Sequence, residues 1–266
     1  MTKESYEMNL WWGARQESVE QCAPRFMRFL NGLATTDATF SDWRKGGSGR
    51  KGIYRPYCAL PLTIEEATRL LDKGREYYDT TPRQVWPEMG FGTAAWNGRD
   101  DDYYAGFSVL AGAYVNKNPH WNHVSVDISR RRRRDDAPWS AAALRTLLAF
   151  AIAVWKPREA SIDCYRYEDF RATAPDPNYK PRTEPLPPGA VLLTTGDKLL
   201  FPWVGWLTYL PADLAAKVTI PPGIAVEQFA DGGIIATLCE EPFTIDNPLH
   251  MARAKAMEAA IRPVQS

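Results

Sequence analysis

The chain has 266 residues, 45% of them hydrophobic and 12% aromatic, so it can bury a sizeable core and is not a disordered segment. Its 32 basic and 32 acidic side chains cancel, and a pI near 6.8 argues against a dedicated nucleic-acid binder, for which a value above about 9 is usual. Cys22, Cys58, Cys164 and Cys239 form no CxxC pair, which excludes a zinc knuckle and points to buried free thiols in a reducing cytosol.

In chain order, "YEMNLWWG" reads as a strand closed by Gly13. From Ser18 to Ala34, Val19, Cys22, Phe26, Phe29, Leu30 and Leu33 fall on one helical face, with Ser18 and Gln21 as a capping box. Pro24 deletes a backbone bond there, so the regular helix is expected to begin near Cys22. The basic, glycine-rich "RKGGSGRKG" lacks the Lys-Ser/Thr ending of a phosphate loop and reads as a flexible turn. Thr63 and Glu66 cap a second helix whose apolar face is Ile64, Ala67, Leu70 and Leu71, ending near Gly74.

"QVWPEMGFGTAAWNGRDDDYYAGFSVLAGAYVN" reads as two strands joined by the polar turn "NGRDDD", and "WNHVSVDIS" supplies a further arm. Pro138 and Ser140 start a helix over "AAALRTLLAFAIAVW", a run too short for the roughly 20 residues of a membrane span. "EASIDCYRYE" is a strand. Arg171 to Gly189 is proline-rich and reads as an internal loop within one domain spanning residues 1–266. After it come a strand at "LLFPWVGWLTYL", a short helix at "PADLAAKV", a hairpin turned at "ADGG", and a last helix capped by Asp246 or Asn247. Many neighbouring strands are hairpin-linked, so the fold class is α+β, with a largely antiparallel or mixed sheet and helices packed on it.

Chemistry-bearing patterns are sparse. His120 and His123, three apart on a strand, point to opposite faces and chelate one metal poorly; His250 has no visible partner. There is no GxSxG elbow, no HExxH and no kinase loop, so no catalytic residue, metal or cofactor is assigned. The acidic clusters at Asp100 to Asp102, Asp135 and Asp136, Glu168 and Asp169, and Glu240 and Glu241 read as solvated charge runs. Trp121 and Trp139 adjoin elements that need core residues. The run Arg130 to Arg134 could neutralise phosphates or meet an acidic protein surface. Asp127, Asp135 and Asp136 offset it, however, and a strand-to-helix connection holds such a block in water at little cost. A nucleic-acid-binding protein using Arg130 to Arg134, with Arg50 and Lys51, is the alternative function, and an enzyme with a concealed site a third.

At "NLWWGARQESVEQCAPRFMRFLNGLA" the sequence resembles the immunity protein 52 family of bacterial polymorphic toxin systems. Trp12, Gly13 and Arg15 carry the opening motif, and "FSDWRKGG", "MGFGTAAWNGRDDD" and "EPFTIDNPLHMARAKAMEAAI" are similar in the same order. The resemblance implies a non-catalytic, cytoplasmic protein of the toxin-producing cell. Its implied partner is a nuclease toxin of restriction-endonuclease-like fold, often delivered by type VI secretion. A nuclease groove that attracts phosphate can be filled by carboxylates, so Asp100, Asp101 and Asp102, with Trp96 and Tyr103, are the expected toxin-facing patch. As a family signature Trp12, Gly13 and Arg15 could form a contact site; the favoured reading is structural, with a glycine for the turn from strand to helix and an arginine paired with Glu17 or a nearby carboxylate.

Overall fold

A computed structural model describes residues 5–45, 58–60, 63–78, 80–97, 105–114, 122–129, 132, 136–167 and 204–264. The first strand, β1 (Tyr6–Trp12), buries Tyr6, Met8, Leu10 and Trp12 and turns Glu7, Asn9 and Trp11 to the other face. That period of two fixes the register, because a one-residue slip would put the glutamate in the core. Nine more strands follow: β2 (Arg44–Lys45), β3 (Cys58–Ala59), β4 (Phe91–Trp96), β5 (Ala105–Ala111), β6 (Asn122–Ile128), β7 (Glu159–Cys164), β8 (Leu207–Leu210), β9 (Ala225–Gln228) and β10 (Ile234–Thr237). They form one sheet in the order β3-β2-β4-β5-β6-β1-β7-β8-β10-β9, with every pair antiparallel. The α+β expectation holds, in its antiparallel form.

Helix α1 (Val19–Thr36) has the capping box of Ser18 and Gln21. It begins at Val19, three residues earlier than Pro24 suggested. Proline removes only its own bond to the carbonyl of Glu20, which lies on the exposed side where water can replace it. Helix α2 (Ile64–Asp72) carries the box of Thr63 and Glu66, but Ile64 is 49% exposed and only Ala67 and Leu71 are fully buried. Helix α3 (Ala141–Trp155) is capped by Ser140 and ends at Lys156 in the left-handed region. Helix α4 (Ala212–Ala215) is short, and α5 (Pro248–Ile261) is capped by Asn247. The expected strand around Trp206 is regular only over Leu207–Leu210. The proline-rich stretch, Cys58's surroundings and the glycine-rich turn beyond Lys45 lie outside the described side chains.

Helices α1 and α3 cover one face of the sheet. Phe26 of α1 meets Phe107 of β5 edge-on at 5.8 Å, and Trp155 of α3 stacks on Trp12 of β1 at 5.4 Å. Phe29 closes the wedge against Trp155 at 5.6 Å. Buried aromatic area of this kind carries most of the stabilisation of such a core. Cys22, Cys164 and Cys239 are free and buried, as the scarcity of cysteine suggested.

Candidate functional site

Opposite the helices, the sheet presents a second face. The register places Glu7 across from Asp127 of β6 on one side and Asp163 of β7 on the other. Three carboxylates thus stand in one row across three strands, an arrangement that like-charge repulsion disfavours unless donors hold it. Ser125 donates to Glu7, and the Tyr165 hydroxyl donates to Asp127 Oδ1 at 2.6 Å. Beside the row, Ala94, Trp96, Gly106, Ser108, Ser125 and Asp127 line a shallow depression of about 470 Å³. Its floor is made of small side chains because Gly106 and Ser108 stand opposite Trp96 and Ala94. Such a floor lets a partner approach the sheet closely.

Trp96 is half-buried at the rim. It is the one member of the expected patch that the structure describes; Asp100, Asp101, Asp102 and Tyr103 lie outside the described residues. Their hairpin is anchored at its base. Asn97, fully buried, donates to the carbonyls of Thr39 and Ser41 and accepts the Ala105 N–H at 2.8 Å. The hairpin that carries the aspartates therefore leaves and re-enters the sheet at the end of the depression.

The family-motif residues meet at another corner. Arg15 lies 4.8 Å over the Trp12 ring, donates to the carbonyl of Trp155 at 3.1 Å, and pairs with Glu17 at 2.9 Å. Arg25 reaches the same Glu17 oxygen at 2.6 Å. Arg15 thus ties strand β1 to the carbonyl end of α3, where a cation also meets the negative end of the helix dipole. Burial pushes its pKa below the ordinary arginine value, with Glu17 opposing. The expected turn role of Gly13 is corrected. Its φ is outside the left-handed region, and a Cβ there would meet nothing within 4 Å. The backbone does not require glycine at this position.

The arginine run is not simply a solvated block. Arg130, Arg131, Arg133 and Arg134 lie outside the described residues, but Arg132 donates to Asp37 at 2.8 Å and lies 5.8 Å over Trp139. Trp139 is in the core, its indole N–H donating to the Ser129 carbonyl, and Trp121 is not described. His123 is on the sheet face with the acidic row, while His120 is not described.

Two further acidic residues are engaged rather than solvated. Glu240 forms a two-pronged pair with Arg145 at 2.7 and 3.1 Å, and this pair draws the Glu240 pKa down. His250 does have partners, which its position in the sequence concealed. It is 1% exposed; its Nδ1 accepts the Thr244 N–H at 3.1 Å, which leaves Nε2 to donate to Glu241 at 2.9 Å. The Cys239 thiol, pushed up to about 12 by burial, donates to the Glu241 carbonyl at 3.2 Å. Cys239, Glu241 and His250 could in principle ligate one ion. In this arrangement the thiol and Nε2 are both engaged as donors, so an ion would have to displace both protons and both hydrogen bonds to bind. The cluster is a clasp joining α5 to the end of β10.

Comparison with known proteins places this geometry. The chain has no match among curated proteins. Among solved structures it is similar to the Pseudomonas aeruginosa T6SS protein PA0821, with a TM-score of 0.52 and 12% identity, over 98% of this chain and 73% of that one. At that identity the likeness is one of fold. No helix among the described residues is long and apolar enough to cross a membrane. The family model described as immunity protein 52 matches residues 4–179 and 192–263. The match takes in the Trp12–Arg15 corner, the acidic sheet face and the terminal helix, and the chain belongs to the immunity protein 52 family.

Proposed function

We propose that the protein acts in the cytoplasm of the toxin-producing cell, where it binds and neutralises a cognate nuclease toxin of restriction-endonuclease-like fold, delivered by type VI secretion. The observation that carries this reading is the family match along nearly the whole chain, which implies a toxin as partner. The half-buried carboxylates of Glu7 and Asp127, with Trp96 at the rim, support the nuclease assignment on physical grounds, while Asp163, next in the row, is buried. A surface of that charge is attracted to the basic groove with which a nuclease holds phosphate, and it competes with nucleic acid for it. Asp100, Asp101, Asp102 and Tyr103, which follow Trp96 closely in the sequence, are proposed as part of the same contact, and an aromatic anchor such as Trp96, once covered by the toxin, would carry a large share of the affinity.

Co-expression with the toxin encoded beside this gene tests the function: survival and co-purification are expected. A triple Asp100→Ala, Asp101→Ala, Asp102→Ala variant tests the patch, and an affinity unchanged from wild type removes it. Binding to duplex DNA at moderate salt, with a steep salt dependence, would instead favour the arginine-run reading. The engagement of Arg132 with Asp37 speaks against that reading.

A further inference from the structure

We propose that the corner where β1, the end of α3 and the start of β7 meet is a second contact site, which takes a carboxylate side chain of the partner protein. The identity of that partner as a toxin rests on the preceding reading; the carboxylate chemistry rests on the corner itself. Trp12, Gly13, Arg15, Lys156, Arg158 and Pro211 line a depression of about 390 Å³. Trp12 is 4% exposed, and its indole N–H is buried without an acceptor. Arg15 Nη2 is likewise buried without an acceptor, although Nη1 reaches Trp155 and Nε faces Glu17. A buried donor with no acceptor costs free energy that an arriving acceptor recovers.

The orphan atoms bordering the depression are donors, and so are its exposed side chains, Lys156 and Arg158. The compensating carboxylates are few. Glu17, whose Oε2 is itself buried without a partner, is shared between Arg15 and Arg25, and Arg158 reaches Asp213 only at 3.5 Å, so four cations face two carboxylates. The site therefore attracts an anion. With the Arg15 guanidinium carbon 4.8 Å from the centroid of the Trp12 ring, the indole N–H and the guanidinium offer neighbouring donors, which suit the two oxygens of a carboxylate. Gly13 acquires a reason here. A side chain at position 13 would fit the fold but stand in the mouth of the depression, so its absence keeps the site open.

The site can be read directly on the full-length protein by following the Trp12 indole N–H by NMR, assigned through its loss in Trp12→Phe. Sodium acetate is expected to move this resonance downfield, whereas sodium chloride at equal ionic strength leaves it in place. Gly13→Leu, and the double substitution Lys156→Glu with Arg158→Glu, are expected to suppress the shift in proteins that remain folded, as judged by the dispersion of their amide spectra. No shift with acetate, or an equal shift with chloride, overturns the site. Duplex DNA binding that the double substitution abolishes, with no acetate response, assigns the corner to nucleic acid instead.

A second arm uses the toxin encoded beside this gene. The double substitution is expected to weaken its binding at least about tenfold at about 0.15 M salt. Toxin affinity within about twofold of wild type overturns the proposed contact while leaving the immunity reading intact. Failure of the wild-type protein to bind the toxin removes the immunity reading instead, and the acetate arm still decides whether the corner holds a carboxylate.

Discussion

Arg132 donates to Asp37 across 95 positions of sequence, at 2.8 Å, and so fastens the middle of the arginine run to the end of α1. Asp37 is buried to 8% exposure and also accepts the Thr39 N–H at 2.8 Å. Removing the arginine leaves a buried carboxylate short of a cation. Arg132→Ala is expected to lower stability by about 2–3 kcal/mol, somewhat less than for a fully buried pair because Arg132 is partly in water. Urea unfolding checks this, and a change under about 0.5 kcal/mol would place the pair among the inert surface ones.

At Gly32 the Phe150 side chain of α3 packs directly on the backbone of α1. A Cβ there would lie 1.9 Å from the Phe150 ring, which stacks on Phe29 at 6.4 Å. In an exposed helix, Gly→Ala stabilises by roughly 1 kcal/mol. Here the sign reverses: Gly32→Ala is expected to destabilise by about 1–3 kcal/mol through overpacking. Combining it with Phe150→Leu should recover part of that loss. Strictly additive effects in the double-mutant cycle would show that the two residues are not in contact.

Asn97 holds the base of the hairpin that carries Asp100 to Asp102. Its amide bridges Thr39, Ser41 and Ala105 in a fully buried position. Asn97→Ala strands those backbone groups and is expected to cost about 2–4 kcal/mol. It should also raise amide exchange at Ala105 above that at Val109, within the same strand. Uniform exchange along β5 would contradict the anchoring role.

Three exposed carboxylates are held below their ordinary pKa values. Glu240 is drawn down by Arg145, Glu241 by the hydrogen bond from His250, and Asp246 by Arg166. A depressed folded-state pKa means that the unfolded chain binds more protons, so stability rises with pH through this range. The contribution is complete above the ordinary carboxylate values of 4.5 and 3.8 and is lost as pH falls through the lowered ones. The melting temperature is expected to hold from neutrality to about pH 5 and fall below it. Arg145→Met should flatten part of that acid limb, and about 1 M salt should shrink the difference between the variants.

The sequence by itself determined the elements whose causes are local. The Ser18–Gln21 and Thr63–Glu66 boxes close within four residues, and the alternation of Tyr6, Met8, Leu10 and Trp12 is a period of two; neither needs knowledge of a distant partner. Tertiary structure decided what those elements meet. The sheet order places β1 between β6 and β7, and only this sets Glu7 beside both Asp127 and Asp163. Likewise Arg15 finds Trp155 140 positions away, and Arg132 finds Asp37, through strand order and helix packing that no short window of residues encodes. His250 reaches Glu241 over only nine positions, yet that bond depends on α5 folding back against β10. Ile64 kept its helical phase but lost its burial, because α2 covers the core with its Ala67 and Leu71 side and leaves its first residue in water. Local hydrogen bonds and side-chain periodicity are short-range forces and can be read along the chain; charge pairing and burial depend on which surfaces the completed sheet brings together.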